Sequence, residues 1–293
     1  MKENKRLKIK IAKNSGFCFG VRRAIDLVEK ATREKPRVYT LGPIIHNPQE
    51  VERLEKQGIK ILKDSKRIKE GSIILRTHGI PFELHRKLEA NKTINIIDAT
   101  CPFVKRAQNI VKQLSADVKS EDEKIILVGE KVHPEVVALV SYGNDKCVVI
   151  ENSKEAGRFE WSGGLNIVSQ TTQTPKNFDS TVKVLKKRHK VKVYNTICKA
   201  TLERQKSAKK LAGTVDLMIV IGGKNSGNTT RLTQICGAKT KTYHVETTDD
   251  LKEQWFKKIE NVGLTAGAST PVWIIKDIEK RVKEIGLKRQ VNS

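Results

Sequence analysis

The fold is decided by the stretch I-N-I-I-D-A-T-C-P at residues 94–102. Its first four residues form an apolar run that predicts a short buried strand. Apolar residues then recur at helical spacing from Phe103 to Leu114, which predicts a helix. Cys101 is therefore expected where a strand meets a helix N-terminus, among backbone N–H groups that favour a thiolate.

The same pattern occurs around Cys18 and Cys198. The segment C-F-G-V-R-R-A-I-D-L-V from Cys18 shares its Cys, Val, Arg, Ala and final Val with C-P-F-V-K-R-A-Q-N-I-V from Cys101. The segment from Cys198, C-K-A-T-L-E-R-Q, keeps the Cys and an Arg six residues later. An interval of roughly 90 residues between copies predicts repeated α/β units. We predict three units, residues 1–98, 99–195 and 196–293, the last with a C-terminal helix.

Predicted strands alternate with predicted helices along the whole chain, which indicates an α/β protein with mostly parallel sheets. Ligands of such sheets gather beyond the carboxyl ends of the strands. If the three units face one another, three cysteines and six polar loops meet at one central site. We therefore predict a pseudo-three-fold arrangement of three similar units around that site.

The formal net charge of +24 raises the possibility of nucleic-acid binding. The basic residues are spread along the chain, however, and only 5% of residues are aromatic, too few to indicate a base-stacking surface. A small anionic substrate and an acidic protein partner explain the charge equally well. We expect no nucleic acid, and keep a basic nucleic-acid-binding α/β protein as the alternative function.

The five cysteines include no Cys-x-x-Cys pair, which argues against a disulfide framework. The basic residues 1–10 lack the apolar core of a secretory signal, and no apolar run is long enough for a membrane span. We expect a cytoplasmic protein, and a monomer. Cys147 and Cys236 are interpreted as small buried hydrophobic residues.

The three repeated cysteines need a different explanation. Three thiolates could hold zinc, but structural zinc sites use four ligands, usually with close Cys-x-x-Cys spacing. An iron–sulfur cluster with one iron lacking a protein ligand fits three thiolates better. A cysteine nucleophile is the third option, and it would leave two cysteines unexplained.

Polar side chains follow the predicted strands. His46, His78 and His133 occupy equivalent strand ends, where imidazoles can bind an anion or simply serve the structure. Ser226, Asn228 and Ser269 stand at predicted helix N-termini and could bind phosphate or cap the helices. Gly227 lets the backbone approach a ligand, or simply serves a turn. Glu135 could donate a proton, or be the acidic residue of a helix's first turn. Thr171 and Thr172 could pass that proton along or orient a substrate hydroxyl, or be ordinary turn residues.

Together these motifs resemble those of the LytB/IspH family of 4-hydroxy-3-methylbut-2-enyl diphosphate reductases. The matching motifs, in family order, are G-F-C-F-G-V-R-R-A from Gly16, I-H-N at 45–47, T-H-G at 77–79, D-A-T-C-P at 98–102, H-P-E-V at 133–136, Q-T-T at 170–172, I-C-x-A-T at 197–201 with R-Q at 204–205, K-N-S at 224–226 and T-A-G-A-S at 265–269. Two positions depart from the usual pattern. Gly227 stands where many members carry Ser, and Phe19 replaces a small residue.

The resemblance implies a trefoil-like arrangement around one [4Fe–4S] cluster per chain, ligated by Cys18, Cys101 and Cys198 with one iron lacking a protein ligand. It implies two-electron reductive dehydroxylation of the allylic alcohol diphosphate to isopentenyl and dimethylallyl diphosphates, the last step of the methylerythritol phosphate pathway. The net charge of +24 leads to a separate hypothesis, that an acidic ferredoxin or flavodoxin docks on a basic face and supplies the electrons. The resemblance also assigns roles: Glu135 delivers a proton, helped by Thr171 or Thr172. The diphosphate would be held by His46, His78, His133, Ser226, Gly227, Asn228 and Ser269.

Overall fold

A computed structural model of the protein describes residues 7–64, 68, 70–117 and 122–291. Residues 1–6, most of the basic N-terminal segment, lie outside the described residues. The strands are, in chain order, β1 (Lys8–Ile11), β2 (Val38–Leu41), β3 (Ile59–Leu62), β4 (Gly71–Leu75), β5 (Ile94–Asp98), β6 (Glu123–Val128), β7 (Cys147–Ile150), β8 (Gly164–Ser169), β9 (Val191–Tyr194), β10 (Leu217–Ile221), β11 (Lys241–Val245) and β12 (Asn261–Ala266).

Helices connect these strands. They are α1 (Phe19–Glu34), α2 (Pro48–Lys56), α3 (Phe82–Ala90), α4 (Pro102–Asp117), α5 (Pro134–Ser141), α6 (Ser153–Ala156), α7 (Pro175–Lys186), α8 (Lys199–Ala212), α9 (Gly227–Gly237) and α10 (Val272–Val291). Short 3₁₀ helices cover Asn144–Lys146, Thr248–Asp250 and Glu253–Phe256. Across the described ranges, none of the helices is long and apolar enough to cross a membrane.

The strands form three four-stranded sheets, with the orders β3-β2-β4-β5, β7-β6-β8-β9 and β11-β10-β12-β1, and neighbouring strands pair in parallel. The predicted α/β class with parallel sheets is confirmed. The three sheets share one strand order, in which the first strand of the chain, β1, occupies in the third sheet the place that β5 and β9 occupy in the other two. The strand in that place, β5, β9 or β1, is the one that leads to Cys101, Cys198 or Cys18.

One strand of the predicted first unit pairs outside it. β1 lies within residues 1–98 but pairs with β12, with Ile9 opposite Val262 and Ile11 opposite Leu264. The reason is that β12 offers an open edge next to β10, and a strand pattern in sequence does not identify its partner. The unit boundaries after residues 98 and 195 stay a prediction.

The chain divides into two compact units. One contains the third sheet and comprises Met1–Phe19, His46–Glu50 and Lys199–Ser293; we call it the third-sheet unit. The other contains the first and second sheets and comprises Gly20–Ile45 and Val51–Cys198; we call it the two-sheet unit.

Strand β10 shows why the central strands are continuous apolar runs. Its alternate residues Leu217 and Ile219 pack toward α10, in a cluster with Ile278. Met218 and Val220 pack on the opposite side with residues of α8 and α9. A strand covered on both faces needs apolar residues at every position, since each fully buried side chain contributes about 2 kcal/mol.

Candidate active site

Each repeated cysteine stands directly before a helix: Cys18 before α1, Cys101 before α4 and Cys198 before α8. The predicted strand-to-helix position of all three is confirmed. All five cysteines of the chain lie among the described residues, and none forms a disulfide. The three repeated cysteines are half-buried. Burial raises the pKa of both Cys147 and Cys236 to about 12, which suits structural thiols.

The Cys101 loop is held from several sides within the two-sheet unit. Its backbone N–H donates to the carbonyl of Thr77, at 3.0 Å. Arg23 of α1 donates to the carbonyls of Thr100 and Asp98, at 3.2 and 3.0 Å. The first turn of α1 also approaches the sulfur closely, since a Cβ at Gly20 would lie 2.5 Å from Cys101 Sγ. Only glycine fits there without displacing the thiol.

The carboxylate of Asp98 closes the same loop. Its Oδ1 accepts from the backbone N–H of Thr100 at 2.9 Å, and its Oδ2 accepts from Lys105 Nζ at 3.1 Å. Burial alone would raise the pKa of Asp98, but the hydrogen bonds from Thr100 and Lys105 and the charge of Lys105 outweigh it. The pKa of Asp98 is therefore lowered.

Glu135 is connected to a second cysteine loop in the two-sheet unit. The carboxylate is 1% exposed and accepts two hydrogen bonds from Thr171, from the backbone N–H at 2.6 Å and from Oγ1 at 2.9 Å. The carbonyl of Thr171 accepts from the backbone N–H of Cys198 at 2.9 Å. Glu135, Thr171 and Cys198 thus form one hydrogen-bonded chain.

His133 opens α5 beside this chain. Its Nδ1 accepts from the backbone N–H of Glu135 at 3.1 Å, so in the neutral ring the proton is on Nε2. The ring of His78, from the turn after β4, contacts it edge-on with centroids 5.5 Å apart. In that tautomer the Nε2–H of His133 is a hydrogen-bond donor.

The remaining candidate residues lie in the third-sheet unit. Ser269 Oγ donates to the carbonyl of His46 at 3.0 Å, and a Cβ at Gly223 would lie 2.8 Å from the same oxygen. The N–H of Cys18 donates to the carbonyl of Ala268, next to Ser269, at 3.1 Å. The loop after β12 therefore contacts backbone groups of both His46 and Cys18.

Helix α9 begins with three of the candidate residues. Ser226 is its N-cap, accepting from the N–H of Thr229 at 3.4 Å, and Gly227 opens the first turn. Asn228 is 6% exposed, and its Nδ2 and Oδ1 are buried with no hydrogen-bond partner in the described part of the chain. A buried amide without partners costs about 1–3 kcal/mol, which a bound anion would offset.

Two supporting residues were not predicted from the sequence. Gln170 is fully buried; it donates to Thr172 Oγ1 at 3.1 Å and accepts from the N–H of Glu130 at 3.1 Å. Arg204 donates to the carbonyl of Gly16 at 2.6 Å, fixing the turn before Cys18. Both residues belong to motifs quoted above, but nothing in the sequence shows what their side chains contact.

The protein is therefore an α/β protein of three parallel sheets, and the last strand of each sheet leads to one cysteine. The buried carboxylate of Glu135 is connected to one of these cysteines, Cys198, through Thr171. The family model described as LytB protein matches residues 9–283, so the chain belongs to the LytB family. The predicted family assignment is confirmed.

Relatives and solved structures extend this similarity over nearly the whole chain. The chain is 46% identical to the 4-hydroxy-3-methylbut-2-enyl diphosphate reductase of Geobacter sp. (strain M21), covering 95% of this chain and 98% of the relative. It is 44% identical to the enzyme of the same name from Geobacter sulfurreducens, covering 97% and 100%.

A solved structure of (E)-4-hydroxy-3-methyl-but-2-enyl diphosphate reductase, the terminal enzyme of the non-mevalonate pathway, is 45% identical with a TM-score of 0.67, covering 95% of this chain and 99% of that one. The Plasmodium falciparum reductase structure is 28% identical with a TM-score of 0.85, covering 96% and 88%.

Proposed function

We propose that the protein is a reductase of 4-hydroxy-3-methylbut-2-enyl diphosphate that releases isopentenyl and dimethylallyl diphosphates, and that its named site residues perform this reaction. As a member of its family the chain is an oxidoreductase of the non-mevalonate route to isoprenoids. The reaction takes up two electrons and two protons, breaks the allylic C–O bond, forms a C–H bond and releases water. The observation that carries the residue assignment is the chain from Glu135 through Thr171 to Cys198.

The donor set fits one [4Fe–4S] cluster per chain. The three repeated cysteines are half-buried thiols that form no disulfide: Cys18, Cys101 and Cys198. The missing side chain at Gly20 leaves space for the Cys101 sulfur. When bound, a cluster with one iron lacking a protein ligand supplies the electrons and a Lewis acid for the substrate oxygen.

The proton for the leaving hydroxyl comes from Glu135. Its two hydrogen bonds from Thr171 hold the carboxyl in a fixed orientation, which general acid catalysis requires. Thr172, held by Gln170, orients the substrate hydroxyl. Water is excluded because Glu135 and Thr171 are buried.

The diphosphate binds through hydrogen-bond donors and not through carboxylates. The donors are His46, His78, His133, Ser226, the backbone N–H of Gly227, Asn228 and Ser269. Support comes from the amide of Asn228, which is buried with no hydrogen-bond partner in the described part of the chain. Anchoring the diphosphate places the allylic carbon so that binding energy lowers the entropic part of the barrier.

Electrons come from an acidic carrier protein such as ferredoxin or flavodoxin, consistent with the net charge of +24. We also propose that the enzyme is cytoplasmic and monomeric.

Anaerobic purification tests the proposal most directly. We expect about four iron and four sulfide per chain, a visible band that dithionite bleaches, and conversion of the substrate to both products. Zinc in place of iron, or a metal-free protein that cannot be reconstituted and turns over no substrate, would refute it. Salt-dependent RNA binding by such a protein would favour the nucleic-acid alternative.

A further inference from the structure

A cavity of about 510 Å³ opens between α1 and α4, within the two-sheet unit. It is lined by Arg23, Asp98, Thr100, Pro102, Lys105, Arg106, Asn109, Ile110 and Gln113. Thr100 and Pro102 are the two chain neighbours of Cys101. The cavity is therefore the part of this unit's surface that lies next to the Cys101 loop.

The cavity carries excess positive charge. Three of its lining residues are cationic and one, Asp98, is an acid, already paired with Lys105. Arg23 donates to backbone carbonyls and forms no ion pair with the carboxylates of the described ranges. Arg106 is exposed and forms no ion pair with any residue that the structure describes. The charges of Arg23 and Arg106 are thus available to an incoming carboxylate.

We propose that this cavity is where the acidic electron carrier docks, with a carboxylate of the carrier seated between Arg23 and Arg106. The proposal rests on the proposed function, which needs two electrons that no organic substrate of the reaction supplies. Two one-electron oxidations of reduced carrier supply them, and the two protons come from water, one of them by way of Glu135. Docking here brings the carrier next to Cys101, which shortens the electron-transfer distance.

Nucleic acid fits the cavity less well than a protein carboxylate. None of the residues lining the cavity is aromatic, so no base-stacking surface is present there. Its three cations, Arg23, Lys105 and Arg106, all line this one cavity next to Cys101. Such a cavity suits one inserted acidic side chain of a protein partner, surrounded by polar contacts at the edge of the interface.

Exposed residues of α4 allow a test that does not disturb the Cys101 loop. Arg106→Glu reverses a cavity charge, and Gln113→Lys adds one to the rim. Lys186→Glu in α7 is the matched control, because Lys186 is also an exposed cation on a helix and does not line the cavity. The probe is a recombinant acidic flavodoxin, used with each variant as anaerobic holoenzyme and in its metal-free form.

At about 0.05 M salt we expect Arg106→Glu to raise the Kd for flavodoxin roughly tenfold, and Gln113→Lys to lower it a few-fold. Lys186→Glu should remain within about twofold of wild type. The oxidation rate of reduced flavodoxin should follow the same order. The docking site is overturned if Arg106→Glu leaves the Kd for flavodoxin unchanged, or if Arg106→Glu and Lys186→Glu weaken binding equally. It is also overturned if the protein binds RNA more tightly than flavodoxin and Arg106→Glu abolishes the RNA binding.

Turnover with dithionite separates this proposal from the function on which it rests. Dithionite is small and needs no docking site, so all three variants should keep wild-type turnover with it. If wild-type protein shows no turnover with dithionite, the proposed function fails, while the Kd series still decides the docking site. If Arg106→Glu lowers dithionite-driven turnover as much as flavodoxin-driven turnover, the substitution damages the site itself and the docking proposal is overturned.

Discussion

Thr171 holds both carboxylate oxygens of Glu135, one through its backbone N–H at 2.6 Å and one through Oγ1 at 2.9 Å. The two residues come from different connections of the second sheet, one after β6 and one after β8. Parallel strands bring these loops to the same edge of the sheet, which is where an α/β protein places its chemistry.

Glu135→Gln should keep the fold and the cluster and lose turnover. Glutamine has nearly the same shape and can still accept one hydrogen bond from Thr171, but it cannot donate an acidic proton. We expect kcat to fall roughly 10²–10⁴-fold, with KM little changed. Steady-state kinetics and the visible spectrum check this. Wild-type kcat would remove Glu135 from the mechanism.

Thr171→Val and Thr171→Ser form a matched pair for the same contact. Valine removes only the Oγ1 bond, while serine retains it and loses a methyl group. We expect kcat to fall about tenfold or more in Thr171→Val and to stay near wild type in Thr171→Ser, since one buried charged hydrogen bond is worth about 1.5–3 kcal/mol. Equal kcat values in the two variants would show that the hydroxyl does not orient Glu135.

Gly20→Ala should displace the Cys101 sulfur. An alanine Cβ would lie 2.5 Å from Sγ, closer than van der Waals contact allows, so the thiol must turn away. Gly237→Ala is the control, because a Cβ there meets no atom within 4 Å and alanine favours helix. We expect loss of most bound iron in Gly20→Ala and full iron content in Gly237→Ala. Full iron content in both would show that the loop adapts.

The sequence predicts the central strands and the cysteine positions well, for a physical reason. β10 is covered on both faces, so its residues form an uninterrupted apolar run. The edge strands β3, β7 and β11 were not predicted. They have only four or five residues, and β3 and β11 each include an exposed lysine. The edge strands β1 and β9 are as short and also include an exposed lysine, but they could be recognised because each leads to a repeated cysteine.

Partners in space are the other part that sequence patterns do not contain. The pairing of β1 with β12, the contact of Gly20 with Cys101 and the contact of Arg23 with the carbonyl of Thr100 each join segments far apart in sequence. Residue type alone therefore indicated thiols, imidazoles and hydroxyls. It did not indicate which backbone groups hold them.

Asn228→Ala should weaken substrate binding and stabilise the protein. The amide of Asn228 is buried with no partner in the part of the chain that the structure describes, so removing it relieves a cost of about 1 kcal/mol. Losing a donor to the diphosphate should raise KM roughly tenfold. Thermal unfolding without substrate and steady-state kinetics check both effects. A lower Tm together with an unchanged KM would mean that Asn228 serves the fold and not the ligand.

Asp98→Asn should weaken the Cys101 loop in a pH-dependent way. The pKa of Asp98 is lowered from 3.8 in the folded protein, so its carboxylate stabilises the fold above that value, and the stabilisation is lost as the pH falls toward the folded pKa. The side chain is 36% exposed, so we expect a difference below about 1 kcal/mol at pH 7. Urea unfolding of the metal-free proteins should show this difference at pH 7 and its decline below pH ~4. A gap between the two proteins that persists at pH ~2.5 would assign it to packing.

The three repeated cysteines should behave differently from the other two. Cys18→Ser, Cys101→Ser and Cys198→Ser should each lower bound iron and abolish turnover, because serine is a poor ligand for iron–sulfur clusters. Cys147→Ala and Cys236→Ala are the controls: their thiols have a pKa of about 12 and pack in the interior, so these variants should keep iron and activity. Cys236 is fully buried, so its loss should lower stability by about 1–2 kcal/mol. Iron analysis and turnover across the five variants decide the assignment, since full activity in any of the first three, or iron loss in Cys147→Ala, contradicts it.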